Sequence, residues 1–163
     1  MENNRENSLT HFNEEGRARM VDVSEKDATL RQATAKAVVY MNENTFRAVM
    51  EGKVKKGDVL AVAQVAGIMA GKRCFEIIPM CHPIALTGLD ISFRPQAGDN
   101  YIEIFASAKC KGETGVEMEA LTAASVAALT IYDMCKAIQR DMVISNVCLL
   151  EKSGGKSGHF VRE

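Results

Sequence analysis

Three stretches of this 163-residue chain combine reactive side chains with restrictive spacing. The first is Pro79-Met-Cys-His-Pro83. Proline fixes its own φ and disfavours helix at the residue before it, so Met80, Cys81 and His82 sit on a stiff turn. A histidine held this way can hydrogen-bond a ligand or carry a proton near neutral pH. It can equally fill a gap in a structural turn. The second stretch is the end of a long helical pattern, where Asp133 and Lys136 are three apart. Side chains at that spacing touch on a helix surface. At about 100° per residue, Glu119 falls within about 40° of Asp133 around the same helix. A carboxylate beside an ammonium at the edge of an apolar stretch can hold a proton-transfer pair. The ordinary alternative is a helix-terminal ion pair facing water, which contributes little.

The third stretch is a scattered basic set. Lys53, Lys55 and Lys56 precede Gly57, Lys72-Arg73 closes an apolar segment, and Lys152 and Lys156 punctuate Lys152-Ser-Gly-Gly-Lys-Ser-Gly158. Glycine-rich segments with lysine can wrap phosphates, because backbone N–H groups come close and the ammonium adds charge. This is not a Walker A loop, since position 150 is Leu where that motif needs Gly. A flexible C-terminus and a solvated turn are the plain alternatives. An anion site assembled from these parts would suit a polyphosphate.

These residues need elements to position them. Thr29 to Met41 (TLRQATAKAVVYM) permits helix through its alanines and strand through Val38, Val39 and Tyr40; strand is the expectation. Asn44 to Glu51 places Phe46, Val49 and Met50 at helical spacing and stops at Gly52. Asp58 offers an N-cap for Val59 to Arg73, which is apolar almost all round. A helix apolar on every side is buried on every side, which in a small domain hints at a subunit interface. Leu89 to Arg94 and Asn100 to Lys109 alternate and flank a Pro-Gly-containing turn, the pattern of a hairpin. Glu117 to Arg140 is the strongest helix, Met142 to Leu150 the last strand. The mixture implies an α+β fold, with helices packed on one face of an antiparallel sheet. Residues 1–20 are expected to be loosely ordered, and 21–160 to form one domain.

Composition narrows the function classes. The formal net charge is −1, unlike the strongly basic balance of most nucleic-acid binders. The strand candidates lack the paired exposed aromatics on which RNA-binding sheets stack bases. No apolar leader opens the chain, and the uncharged run Ala120 to Tyr132 is short of the roughly 20 apolar residues of a membrane span. Five cysteines without C-x-x-C spacing read as reduced thiols of a cytoplasmic protein.

Five segments carry a resemblance to a known family: Met20-Val-Asp-Val-Ser24, Lys56-Gly-Asp58, Ile78 to Pro83, Thr114 to Lys136, and Lys152 to Gly158. On them the chain resembles the molybdenum cofactor biosynthesis protein C family, the cyclic pyranopterin monophosphate synthases. The resemblance implies a ferredoxin-like fold and a lyase. Its substrate would be 3′,8-cyclo-7,8-dihydroguanosine triphosphate, converted by acid–base catalysis to cyclic pyranopterin monophosphate with release of pyrophosphate. It implies catalytic roles for Asp133, Lys136 and Lys56. It implies substrate contacts from Met80, Cys81, His82, Glu117, Met118, Glu119, Arg31, Lys152 and Lys156. It further implies no required cofactor, with Mg²⁺ able to accompany the phosphates. The expected assembly is a homohexamer, a trimer of dimers with the site at a dimer interface, without nucleic-acid or membrane partners. The rival reading is a non-catalytic nucleotide-binding or scaffold protein. A carboxylate beside a polyphosphate argues against it, since like charges repel.

Overall fold

The structure is a computed structural model that describes residues 13, 15–156 and 158–163. Most of the N-terminal segment expected to be loose, residues 1–12 and 14, lies outside the described residues. The elements are β1 (Thr29–Tyr40), α1 (Glu43–Met50), α2 (Val59–Lys72), α3 (Cys74–Ile77), β2 (Leu86–Gln96), β3 (Tyr101–Gly112), α4 (Glu117–Cys135), β4 (Val143–Ser153) and β5 (Phe160–Val161). The sheet order is β2-β3-β1-β4-β5, and every neighbouring pair is antiparallel. With the short elements set aside, this is the β-α-β-β-α-β ferredoxin-like order. The expected α+β fold is what the chain adopts.

The ambiguous β1 segment is a strand because its period is two. Arg31, Ala33, Ala35, Ala37 and Val39 are buried while Leu30, Gln32 and Tyr40 are exposed. On β3 the matching inward residues are Ile102, Ile104, Ala106, Ala108 and Cys110. α4 lies on this face against β1, β3 and β4. Its Ala120, Ala123, Ala124, Ala127 and Ala128 are fully buried, so small side chains let the helix sit low on the sheet. The larger apolar groups, Ile102, Ile104 and Ile131, each stabilise the fold by about 1.5–3 kcal/mol.

α2 packs on α4 through two glycines. A Cβ at Gly67 would strike the Ile91 side chain and come within 2.7 Å of the Ala123 carbonyl; one at Gly71 would meet Leu89 Cδ2 at 2.6 Å. This close approach sets α2 against the Glu119–Ala127 part of α4.

Two expectations change. α2 is not buried on every side within one chain: Val62, Val65 and Met69 are exposed, Val65 at 58%. α4 ends at Cys135, not Arg140, and the Tyr132 hydroxyl donates to the Arg140 carbonyl at 2.8 Å, tying the following turn back. The end of α4 therefore presents Asp133 and Lys136 at a helix terminus.

Candidate active site

The two ends of α4 carry different chemistry. At its C-terminal end Asp133 is gripped by two ammoniums. Lys136 Nζ lies 2.7 Å from Oδ1 and Lys56 Nζ 2.7 Å from Oδ2. Lys56 also donates to the Asp133 carbonyl at 2.9 Å. The Lys136 contact and then the Lys56 contact hold the Asp133 carboxyl down to about 2, while Asp133 raises Lys136. At neutral pH the trio is thus a carboxylate between two ammoniums. All three side chains are about half exposed, so in the single chain the pair faces solvent at the helix terminus. Lys56 arrives from the turn before α2. Gly57 takes φ +103°, a left-handed value that favours glycine, and Asp58 caps α2 by accepting from Ala61 N at 3.0 Å.

At the N-terminal end lies a cavity of about 570 Å³, lined among others by Val21, Lys26, Met80, Cys81, His82, Thr114, Glu117, Met118 and Glu119. His82 Nε2 is 2.7 Å from the Val21 carbonyl. A carbonyl only accepts, so Nε2 carries the proton and Nδ1 is the nitrogen left for a ligand. Glu119 is 3% exposed and its Oε2 has no partner. Burial, above all, pushes its carboxyl up from the usual range, and the charge of Glu117 adds to this. Burial likewise pushes the Cys81 thiol up to about 12, with Cys74 close by. Burial thus favours Cys81 as a neutral thiol.

A second cavity of about 520 Å³ adjoins the first through Lys26, Thr114 and Gly115. Arg31, Lys156, Thr29, Asp27, Glu113 and Gly155 complete its lining. Arg31 is 8% exposed and donates to three carbonyls: Gly112 at 3.2 Å, Glu113 at 3.0 Å and Gly154 at 3.1 Å. It clamps the loop before α4 to the glycine-rich tail. Gly155, at φ +69°, leaves no room for a Cβ against the Arg31 guanidinium. Lys152 Nζ sits 2.6 Å from Glu117 Oε1. The basic tail is thus packed against β1 over Gly154–Gly155, where a loose C-terminus was the plain alternative.

The structure therefore brings together Met80, Cys81, His82, Glu117, Met118 and Glu119 around one cavity. Arg31 and Lys156 line its neighbour, with Lys152 joined through Glu117. It brings Asp133, Lys136 and Lys56 together separately. Glu119 and Asp133 are fourteen positions apart on the helix, about 21 Å at 1.5 Å per residue. Glu119 is buried and Asp133 is half exposed, and the two do not share a site within one chain. The residues that sequence reasoning missed are Lys26 and Thr114, and the backbone of Val21. Val21 lies in the Met20–Ser24 segment and Thr114 opens the Thr114–Lys136 segment, which carried resemblance but no role for either, while Lys26 falls just outside the quoted segments. Among the described residues, no group of three or more His, Cys, Asp or Glu is placed to hold a metal ion. Nor, among them, is any helix long and apolar enough to cross a membrane.

A ferredoxin-like sheet bearing an aspartate–lysine cluster and a carboxyl-floored cavity defines the class. The MoaC family model matches residues 20–155, and the chain belongs to that family. Among curated relatives, the cyclic pyranopterin monophosphate synthase of Thermoanaerobacter sp. strain X514 is 65% identical over 96% of this chain and 99% of its own. The enzyme of the same name from Clostridium acetobutylicum is 61% identical over 94% of this chain and 96% of its own. That of Heliobacterium modesticaldum is 59% identical over 95% and 98%.

Proposed function

We propose that the protein is a lyase of molybdenum cofactor biosynthesis. It converts 3′,8-cyclo-7,8-dihydroguanosine triphosphate to cyclic pyranopterin monophosphate and pyrophosphate. The observation that carries this is the pairing of an ionised Asp133 between Lys136 and Lys56 with a cavity whose floor is a buried, unpartnered carboxyl. Relatives that carry the synthase name match nearly the whole chain.

In this reading the guanine-derived ring occupies the cavity at the N-terminal end of α4. Its N–H groups meet Glu119 Oε2, His82 offers Nδ1, and Met80, Cys81 and Met118 supply apolar contact. Arg31, Lys152 and Lys156 contribute to the phosphate side, with Glu117 holding Lys152 in place. Ring opening and re-closure need groups that give and take protons. Lys136 and Lys56 are ammoniums that can give them, and Asp133 is a carboxylate that can take them. In the phosphate step a substrate hydroxyl oxygen attacks the α-phosphorus and its proton passes to a base of this trio. The bond from the α-phosphorus to the bridging oxygen breaks, and pyrophosphate leaves with the electron pair. Lysine ammoniums offset the charge developing on the leaving group.

The 21 Å separation means that one chain cannot close both halves on one small molecule. The working site therefore draws the Asp133 trio from one subunit and the cavity from another. The exposed Val62, Val65, Met69 and Leu129 supply apolar surface for such contacts. The assembly we propose is a homohexamer, a trimer of dimers. It acts in the cytoplasm on a small molecule, with no nucleic-acid or membrane partner. No cofactor is required, although Mg²⁺ can accompany the phosphates. The test is incubation with the cyclised GTP: one pyrophosphate per pyranopterin product supports the reading. Tight binding without turnover would leave the nucleotide-binding scaffold in its place.

A further inference from the structure

We propose that Cys74 and Cys81 form a reversible oxidation site in the wall of the cavity at the N-terminal end of α4, where a low-molecular-weight disulfide closes them into a bridge that stops turnover. The loss of turnover rests on the proposed function; the bridge itself does not. Both cysteines are free thiols, and their sulphurs lie 4.0 Å apart. A disulfide bond is about 2.05 Å long, so closure asks for about 2 Å of approach. Access to the two sulphurs is unequal. Cys81 is half-buried and lines the cavity, whereas Cys74, at the start of α3, is 1% exposed. Cys81 is the sulphur that a small disulfide reaches, and Cys74 lies behind it.

The chemistry is two successive exchanges. The Cys81 sulphur attacks one sulphur of the small disulfide RS–SR; its proton leaves with the released RSH, and Cys81 carries SR. The Cys74 sulphur then attacks Cys81 Sγ, and the second RSH departs with the Cys74 proton. Two S–H bonds and one S–S bond break, one S–S bond forms on the protein, and two electrons pass to RS–SR. Burial, first of all, keeps both thiols protonated, so the first exchange is slow and the bridge records sustained oxidation. The bridged product has no charge, so the burial and the Glu119 carboxyl that oppose a thiolate here do not oppose it. The geometry also says what moves. Cys74 is tied to α4, with its sulphur 3.4 Å from Thr122 Oγ1. Cys81 sits on the Pro79–Pro83 turn, between Met80 and His82, which line the same cavity. Drawing Cys81 inwards shifts both and pulls on the His82 contact with the Val21 carbonyl. A misplacement of about 1 Å in an active site costs on the order of 100-fold in rate.

The test treats the wild-type assembly with oxidised glutathione, blocks the remaining thiols and maps the peptides by mass spectrometry without reduction, with turnover of the cyclised GTP measured alongside. The Cys74 and Cys81 peptides are expected to be joined with loss of two hydrogens. Turnover is expected to fall by on the order of 100-fold and to return with dithiothreitol. Cys74→Ala should keep the turnover of untreated wild type, and its Cys81 should stop at the glutathione adduct. Cys74→Ser, whose hydroxyl can keep the Thr122 contact, serves if the alanine variant folds poorly. A stable glutathione adduct on wild-type Cys81, or both thiols left free, overturns the proposal, and so does a bridged protein as active as the reduced one. Should the bridge form and reduce as described in a protein that never turns over the cyclised GTP, the functional reading fails and the oxidation site stands.

Discussion

Subunit complementation follows directly from the length of α4. Asp133→Asn removes a proton acceptor from the trio, and His82→Ala removes a cavity group and the anchor of Val21. Each variant alone is expected to be inactive. With about 21 Å between the two ends of α4, each site takes its trio from one chain and its cavity from another. When the two variants are co-assembled in equal amounts, a site works only if its trio comes from the His82→Ala chain and its cavity from the Asp133→Asn chain. Random symmetric assembly gives about a quarter of such sites, so about 25% of wild-type turnover returns. The pairing of Asp133→Asn with Lys136→Ala is the control. Both lesions lie in one trio, so no intact site forms and nothing returns. The assay is pyrophosphate release by doubly tagged assemblies. Recovery no greater than that of the separate variants would refute the two-subunit reasoning and place Asp133 and His82 in one chain's site.

The remaining predictions concern charge and packing. Asp133→Asn should abolish turnover while substrate binding by calorimetry stays intact; lost binding with intact single-turnover chemistry would overturn its role. The folded Asp133 carboxyl lies at about 2, below the ordinary value of about 4. Its contribution to stability is therefore present in full above about pH 4 and lost as pH falls through about 2. The melting difference between wild type and Asp133→Asn should thus be flat from about pH 5 to 9 and narrow below about pH 4. Glu119 behaves oppositely, because its carboxyl is raised. Wild type should lose stability relative to Glu119→Gln as pH rises above the ordinary glutamate range, and parallel melting curves would contradict this. Gly67→Ala adds a Cβ against Ile91 and the Ala123 carbonyl. Overpacking of about 1–3 kcal/mol outweighs a helix-propensity gain of up to about 1 kcal/mol. The melting temperature should fall by about 2–6 °C.

Much of the frame could be read from local pattern. The alternation of the β2–β3 hairpin, the Asp58 cap of α2 and the Asp133–Lys136 spacing are short-range features, and all appear as expected. What the pattern hid is long-range. Lys56 reaches Asp133 across 77 positions, and Arg31 reaches Gly154 across 123. No periodicity encodes such pairings. Glu119 and Asp133 look alike on a helical wheel, yet only Glu119 is covered, because α3 and the Pro79–Pro83 turn pack near that end alone. The end of α4 was overestimated since Ala137 to Arg140 continues the helical composition; the turn after Cys135 is instead held by Tyr132. The apolar ring around α2 was legible, but its outer half finds no cover in a single chain.

The most direct measurement is turnover of purified 3′,8-cyclo-7,8-dihydroguanosine triphosphate by the assembled protein, with phosphate products resolved by ³¹P NMR. The expected result is a cyclic monophosphate and pyrophosphate appearing in equal amounts, and neither appearing with Asp133→Asn. Release of single phosphates, or equal turnover by Asp133→Asn, would contradict a lyase built on the Asp133 trio.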